Sequence, residues 1–416
     1  MGEALIIDAV RTPRGVGKPG KGALSHLHPT HLGATVLKAI AERNKLDTTT
    51  VDDVIISTSV QRGKQGGDLG RMAALAAGYD ITASGVTLDR FCGGGITAVT
   101  LATAAVASGH EDCVIAGGVE MMSYHASLAA EDAANGTPPS LMGAGYEQLD
   151  ALHPQSHQGV CGDAIAAIEG ISREALDALA LVSQQRAAKA IEEDRFAKSL
   201  VPVLNPDGPV ALDREEFPRP NTTAEGLAAL KGSFGALAEW DQGGGVSFAS
   251  QIKRRYPDVK IEPVHHAGNS SGVVDGAAAI LITSPEYAQK HGLKARGRVV
   301  AYANIGDDPT LMLNAPVPAA KKVLAKAGLS VADIDVWEIN EAFAVVAEKF
   351  IRDLGLDRAK VNINGGAMAL GHPIGATGTM LIGTALDELE RSGGRYALVT
   401  MCAAGGMAPA IIIERV

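Results

Sequence analysis

The sequence predicts an α/β protein of two duplicated halves, each a mostly parallel sheet, with helices packed between and outside the sheets. Three observations carry this. Short apolar strand candidates alternate with helix candidates near both ends of the chain, the order that builds parallel sheets covered by helices. The pattern V-x-D-aliphatic begins at Val51 and recurs at Val331. Each copy is followed 41 residues later (92 − 51 and 372 − 331) by Cys92 or His372, then a glycine-containing turn, a helix rich in small residues and a final strand. Such recurrence marks a repeated unit. Cys92 and His372 therefore hold equivalent places at strand-to-helix junctions, where sites collect in folds of this class.

Bulk properties narrow the function. At 416 residues the chain can bury a layered core. Hydrophobic content of 46% and charged content of 20% are those of an ordinary soluble protein. No apolar run approaches the ~20 residues of a membrane span, and ALIIDAV, interrupted by Asp8, is too short for a secretory leader. A net charge of −10 without a basic stripe argues against nucleic acid as a partner. The four cysteines, at 92, 113, 161 and 402, have no C-x-x-C spacing, which reads as a reduced, cytoplasmic protein.

Ala4 to Val10 forms a first strand. Gly15, Gly20 and Lys21 imitate the start of a phosphate loop, but Gly22 stands where a hydroxyl is needed and no helix follows, so a flexible basic loop is the better reading. A helix over His31 to Asn44, a strand over Val54 to Ser57, a loop over 61–70 and a helix over Arg71 to Ala77 follow. Thr87 to Phe91 ends in a strand. Gly93, Gly94 and Gly95 then permit a sharp turn and close approach of other groups. An Ala-rich helix closed by Gly109 leads to a buried strand, Cys113 to Ala116. At this helix start the amide groups would stabilise a Cys92 thiolate; the alternative is a buried structural cysteine. Met121 to about Ile261 reads as a cap, with a loop over Ala134 to Ser140, a helix near Arg173 to Glu193 and the glycine-rich DQGGGVS. The expected divisions are 1–120 for the first part of the N-terminal half, 121–262 for the cap with part of that half's core, 263–284 for its last strand, and 285–416 for the C-terminal half.

The candidate reactive residues are Cys92, His372, Cys402 and the Asn340–Glu341 pair. A cysteine nucleophile needs a base, and histidine supplies one. Cys402 opens CAAGG directly after the strand YALVTM, where a second thiol could carry a proton. The segments NEAFA (340–344), NINGGAMALGHPIGATG (362–378), GNSSG (268–272) and the Cys402 motif together resemble those of the thiolases, and the resemblance spans almost the whole chain. It implies a five-layered αβαβα fold with an inserted loop domain, assembled as a homodimer or homotetramer. It implies that Cys92 is acylated, that His372 activates it, and that Cys402 moves a proton at the α-carbon. Asn340 would hold a water that, with His372, stabilises an enolate oxygen. The backbone N–H groups of Cys92 and Ala404 would form a second oxyanion hole. No metal or organic cofactor is implied. Coenzyme A is a substrate, contacted by His157, Arg219, Ser271 and Phe343.

The chain departs from the family at Ala404, where a glycine is usual, at Gln158, and at Gly226. Between Phe234 and Val264 it is longer than short biosynthetic members. This length favours a degradative 3-ketoacyl-CoA thiolase over an acetoacetyl-CoA-forming acetyltransferase. The segment 235–262 is expected to border the acyl pocket. A ketoacyl synthase is disfavoured by the extra base Cys402, and a non-catalytic lipid-CoA binder by the intact triad of residues. His153 and His157 could share a helix face as metal ligands, but Pro154 opposes that helix. His265 and His266 are read as channel-lining or packing residues, and Cys113 as structural. Cys161 is assigned no role.

Overall fold

The computed structural model describes residues 2–137, 146–242 and 244–416. The N-terminal half contains β1 (Leu5–Arg11), β2 (Gly15–Val16), α1 (Pro29–Asn44), β3 (Asp53–Ser57), α2 (Leu69–Ala76), β4 (Val86–Leu88), α3 (Gly94–Ser108) and β5 (Cys113–Met121). An insertion follows, with α4 (Met122–Ala134), α5 (Glu147–Leu152), α6 (Gln158–Ile168), α7 (Arg173–Glu192), the ribbon β6 (Val203–Leu204) and β7 (Val210–Leu212), α8 (Ala224–Ala228), α9 (Gly235–Ala238) and α10 (Phe248–Lys253). Then come β8 (Val274–Thr283) and α11 (Pro285–His291). The C-terminal half holds β9 (Gly297–Gly306), α12 (Pro316–Ala327), β10 (Val336–Ile339), α13 (Ala344–Leu354), α14 (Ala367–Leu370), α15 (Ile374–Ser392), β11 (Tyr396–Thr400) and β12 (Met407–Arg415). The part of the expected 134–140 loop beyond residue 137, and Gly243 of the glycine run, lie outside the described residues.

The main strands follow the order β10-β11-β12-β9-β1-β8-β5-β3-β4, with β2 beside β8. The halves meet where Leu5 pairs with Arg298 and Ile6 with Gly297. Only β3–β4, β3–β5 and β10–β11 are parallel. The expectation of mostly parallel sheets is therefore corrected to a mixed sheet. Parallel neighbours need a crossover, whereas the short link between β11 and β12 allows only an antiparallel return.

Helices α3 and α15 lie against each other between the two half-sheets, touching β3 and β5 on one side and β10 and β11 on the other. Ile96, Val99, Ile382 and Leu386 of these helices share one core with Ile280 and Ile411. Helices α1 and α2 cover the outer face of the N-terminal half, and α12 and α13 that of the C-terminal half, giving five layers. The stretch Phe91–Ser108 is long and apolar enough to cross a membrane by length and composition alone, contrary to the sequence reading, but here it is the central core helix. Helices α6 and α7 pack on α13 and α14, so this part of the insertion joins the C-terminal core rather than the N-terminal one. The loop resembling a phosphate site instead pairs Gly15–Val16 with β8.

The duplication is real, with a shifted register. Asp52 accepts hydrogen bonds from the N–H groups of Asp112 and Cys113 (2.8 and 3.0 Å), and Asp335 does the same for Arg395 and Tyr396 (2.7 and 3.2 Å). Val51 thus corresponds to Ile334, each closing a 3₁₀ turn before its strand, and the equal spacings counted from Val331 were a coincidence. The equivalence of Cys92 and His372 survives, because each stands two residues before the first residue of α3 or α15. Gly109 and Gly393 end those helices at φ 77° and 74°.

Glycines let the two central helices touch backbone to backbone. A Cβ on Gly95 would lie 2.7 Å from the Thr379 amide nitrogen, and one on Gly378 2.4 Å from that of Ile96. Gly95→Ala should therefore force the helices apart and cost ~1–3 kcal/mol of stability. A Cβ at Gly306 meets nothing within 4 Å, so Gly306→Ala should stay within ~0.5 kcal/mol. Urea midpoints of the two variants check the contrast.

Candidate active site

Cys92 sits in the 3₁₀ turn Phe91–Gly93 between β4 and α3. The strain of this turn falls on Phe91, a non-glycine residue at φ 48°, whose N–H donates to Asp89 (2.6 Å). Gly93, Gly94 and Gly95 all have negative φ, so the sharp turn expected of them is not their role. They are required by close approach: a Cβ on Gly94 would stand 1.8 Å from the Ser57 hydroxyl, and one on Gly93 2.8 Å from Pro409. Helix α15 packs on the Cys92 turn. Cys402 stands two residues past the end of β11, and Gly405 and Gly406, at φ 81° and 75°, turn the chain into β12. Asn340 follows β10, anchored by its N–H on the Thr400 carbonyl (3.2 Å). Three strand ends and one helix start thus converge on a single place between the halves.

The hydrogen bonds assign the tautomer of His372. The Thr377 hydroxyl donates to the Pro373 carbonyl (2.9 Å), so it accepts from His372 Nδ1–H (2.6 Å). Nε2 is therefore unprotonated and accepts from the Asn340 Nδ2–H at 3.4 Å. Asn340 Oδ1 is buried without a partner, and the N–H groups of Cys92 and Ala404 donate to no carbonyl among the described residues.

Burial controls the charges. It pushes the His372 imidazole down to about 4, with Glu120 opposing and Arg14 adding to the effect. It pushes the Cys92 thiol far up, helped by Cys402 and Glu120, and the Cys402 thiol up to about 12. The expected helix-stabilised thiolate is therefore corrected: the helix start is present, but desolvation outweighs it, and the resting groups are a thiol and a neutral imidazole. The arrangement offers an unprotonated imidazole nitrogen, two buried thiols near enough for the charge of one to raise the other's pKa, and backbone N–H groups without carbonyl partners.

Sequence reasoning missed Glu120, a carboxylate at the end of an otherwise apolar strand, which was its only signal. Its buried side chain accepts from Thr58 Oγ1 (2.9 Å), from the N–H groups of Ser59 and Gly375 (2.8 Å each), and contacts His125 Nε2 at 2.8 Å. Burial raises this carboxyl, but His125 and the backbone donors hold it below the usual range. It ties the first turn of α15 to β5. Glu341 turns away from the site, bonded by Ser183 Oγ (2.6 Å) and Asn362 Nδ2 (2.9 Å), and holds the segment behind Asn340.

Cys92, Ala404 and His157 line one cavity of about 380 Å³. His157 Nδ1 accepts from the Gly159 N–H (3.1 Å) at the start of α6, and its ring packs 5.7 Å from Phe234 and 5.8 Å from Phe248. Phe343 meets Phe234 edge-on at 5.8 Å and extends this aromatic row, with Ser271 beside it, donating to Ala342 O (2.9 Å). Arg219 is apart: exposed, over the Phe217 ring, on a separate cleft of about 220 Å³ that also holds Gly226. The insertion reaches the cavity through Gln242, Phe248 and Gln251.

His265 and His266 are packing residues, buried and paired with Asp163 (2.7 Å) and Asp177 (2.8 Å). Cys113 is fully buried, as expected. Cys161 is buried in α6, its S–H donating to Thr310 O (3.3 Å). Among the described residues no three His, Cys, Asp or Glu side chains cluster to hold a metal ion.

This geometry has close parallels among known proteins. The family model of the thiolase N-terminal domain matches residues 4–238, and that of the thiolase C-terminal domain residues 276–415. A beta-ketoadipyl-CoA thiolase of Acinetobacter baylyi is 41% identical over the full length of both chains. A 3-oxoadipyl-CoA/3-oxo-5,6-dehydrosuberyl-CoA thiolase of Escherichia coli is also 41% identical from end to end. A steroid 3-ketoacyl-CoA thiolase of Mycobacterium tuberculosis is 38% identical, covering 100% of this chain and 95% of the relative. Five layers, a duplicated strand–helix unit meeting at Cys92 and His372, and these end-to-end matches agree: the chain belongs to the thiolase family of acyltransferases.

Proposed function

We propose that this chain is a degradative 3-ketoacyl-CoA thiolase, cleaving a 3-ketoacyl-CoA with coenzyme A to acetyl-CoA and a shortened acyl-CoA. One observation carries the reading: a neutral histidine with Nε2 unprotonated stands at the same junction as two buried thiols. One thiol suits nucleophilic attack and the other suits proton transfer to carbon. The names of the relatives support the degradative direction, as does the long 234–264 segment that reaches the cavity.

In the mechanism, Cys92 Sγ attacks the 3-keto carbon while His372 Nε2 takes its proton. Concerted transfer suits groups that rest neutral, since neither thiolate nor imidazolium has to exist beforehand in a dry site. The new C–O⁻ is received by the N–H groups of Cys92 and Ala404. The bond between carbons 2 and 3 then breaks. Its electron pair becomes the enolate of acetyl-CoA, whose oxygen is held by His372 and a water at Asn340, and Cys402 delivers the proton to carbon. One such donor contributes ~3–4 kcal/mol. CoA gives its thiol proton to the Cys402 thiolate and attacks the acyl-Cys92 thioester; the Cys92 sulfur leaves, takes back the proton held on His372, and the shortened acyl-CoA is released. The thioester is the electron sink, so the chemistry calls for no metal or organic cofactor. His157 and the Phe234–Phe343 row suit the pantetheine arm, and Arg219 suits a phosphate.

We also propose a homo-oligomer in the cytoplasm. Strand β4 leaves its sheet edge unpaired, with Val86, Met72 and Ile81 exposed beside it, a surface that suits a second copy. All four cysteines are free thiols, as a reducing compartment requires.

Cys402→Ala should lose at least ~10³-fold in thiolysis, while acetyl-CoA still acylates Cys92, as read by intact mass. Loss of both half-reactions together would return Cys402 to a role in activating the nucleophile. Cys92→Ser should abolish the acyl-enzyme mass and keep the fold by circular dichroism. For His372 the folded pKa lies below the unfolded one. The unfolded chain therefore binds more protons between about 4 and the ordinary 6.5, and stability falls as pH drops through that window. Between pH 6.5 and 5 this group alone should cost ~2 kcal/mol. His372→Asn should lose correspondingly less stability than the native protein when urea midpoints are compared at the two pH values.

A further inference from the structure

Helix α7 carries two apolar faces. One, holding Leu176 and Ala180, is buried in the core of the C-terminal half. The other runs through Ala175, Ala178, Leu179 and Val182, the spacing of a single helical stripe. It is not closed over, since Ala178 and Val182 are exposed. This stripe lines a groove of about 430 Å³ between α7 and α13, shared with Ala347, Ile351 and Val361. The groove has no lining residue in common with the Cys92 cavity.

The groove is fixed by contacts of its own. Ser183, Glu341 and Asn362 belong to its lining, and Ser183 Oγ and Asn362 Nδ2 both donate to Glu341 (2.6 and 2.9 Å). Asn362 Nδ2 also donates to the Ile339 carbonyl (2.9 Å). Beside them the lining holds three guanidinium groups, Arg186, Arg352 and Arg358. Arg186 donates to the Arg358 carbonyl (2.8 Å), while Arg352 and Arg358 both donate to Glu348 (2.6 and 2.7 Å). Three cations thus face two carboxylates, Glu341 and Glu348, and burial pushes the Glu341 carboxyl up, toward its neutral form. Arg352 commits only its Nε. Its terminal nitrogens meet no acceptor among the described residues, and its side chain is 42% exposed.

A fixed apolar trough with a few polar groups gathered beside it is the usual form of a small-molecule site, and its volume lies within the roughly 300–1,000 Å³ of such sites. A guanidinium group matches a carboxylate with two parallel N–H donors. We infer that the α7–α13 groove binds a small aliphatic carboxylate, its chain along the stripe from Ala175 to Val182 and its head on Arg352. The stripe is about 10 Å long at ~1.5 Å of rise per residue, which suits a chain of medium length. An uncharged chain would leave the excess positive charge unmet, and a bare carboxylate would leave the stripe in water. A protein helix laid against α7 and α13 would extend well beyond so short a trough. The site stands apart from the carbon–carbon chemistry and does not rest on the thiolase reading.

The test is calorimetric titration of octanoate into the native protein, compared with octanol and with acetate. The expected result is one octanoate per chain with a Kd below about 1 mM, and affinities at least tenfold weaker for the other two. No binding of octanoate would overturn the inference. Octanol binding as tightly as octanoate would do the same, because the arginine would then have no part in it. Two surface variants separate this groove from the Cys92 cavity. Val182→Glu and Arg352→Glu should each weaken octanoate at least tenfold while circular dichroism stays native. Unchanged affinity in either folded variant would place octanoate elsewhere and sink the assignment. Should Arg352→Glu fail to fold through loss of its bond to Glu348, Val182→Glu and the ligand series still decide.

Discussion

The constraint on which the structure depends is the backbone-to-backbone contact of α3 with α15. Helix axes usually stay 8–10 Å apart because side chains intervene. Here Gly95 and Gly378 remove them at the crossing, where each Cβ would intrude on the other helix's backbone. The closeness brings the two equivalent helix starts to one point. A cysteine from one half and a histidine from the other then share a site that neither half holds alone. The same demand reaches outward: Gly118 of β5 has no room for a Cβ because the Gly375 carbonyl of α15 would lie 2.1 Å from it. Glu120 then accepts the Gly375 N–H on the same strand (2.8 Å).

This packing also sets the electrostatics. Five layers leave the central one dry, and Cys92, His372 and Cys402 all lie in it. In such a medium an isolated charge is expensive, so the resting site holds neutral groups and unused donors in place of an ion pair. In the proposed reaction the cost of charge separation is deferred to the chemical step, where the oxyanion would meet N–H groups that donate to no carbonyl among the described residues. Preorganised dipoles serve better than mobile water for that purpose, because they need no reorientation when the charge develops. The tautomer of His372 belongs to the same design. Thr377, one turn along α15, holds the Nδ1–H and so keeps the Nε2 lone pair toward the site.

The insertion has two parts with different duties. Helices α6 and α7 are core, covering the C-terminal half and carrying the buried pairs His265–Asp163 and His266–Asp177. The stretch from α9 to α10 closes the cavity and brings Gln242, Phe248 and Gln251 to it. One segment of chain therefore both completes an outer layer and forms the wall that an acyl group would meet.

Most of the strands and helices of the two halves, the repeat and the candidate residues of the site were legible in the sequence because each is written locally. Strand runs such as LIIDAV, the glycines ending α3 and α15, and the motifs around Cys92, His372 and Cys402 need no distant partner to be read. The equivalence of Cys92 and His372 was legible even though the register counted from Val331 was three residues off, since both helices begin two residues after the reactive side chain. Other features were settled only by tertiary structure. Strand direction was one, because antiparallel β8 and β12 depend on where the chain returns. The neutral state of Cys92 was another, because desolvation comes from layers hundreds of residues away and overrides the local helix start. Arg219 stands on a cleft apart from the Cys92 cavity, and Glu120 is buried where β5 meets the start of α15, for the same reason. The sequence by itself determined which candidate groups stand at the strand ends and helix start of the site; the tertiary structure decided their charge, their tautomer and what surrounds them, because those properties belong to burial and to contacts between distant segments.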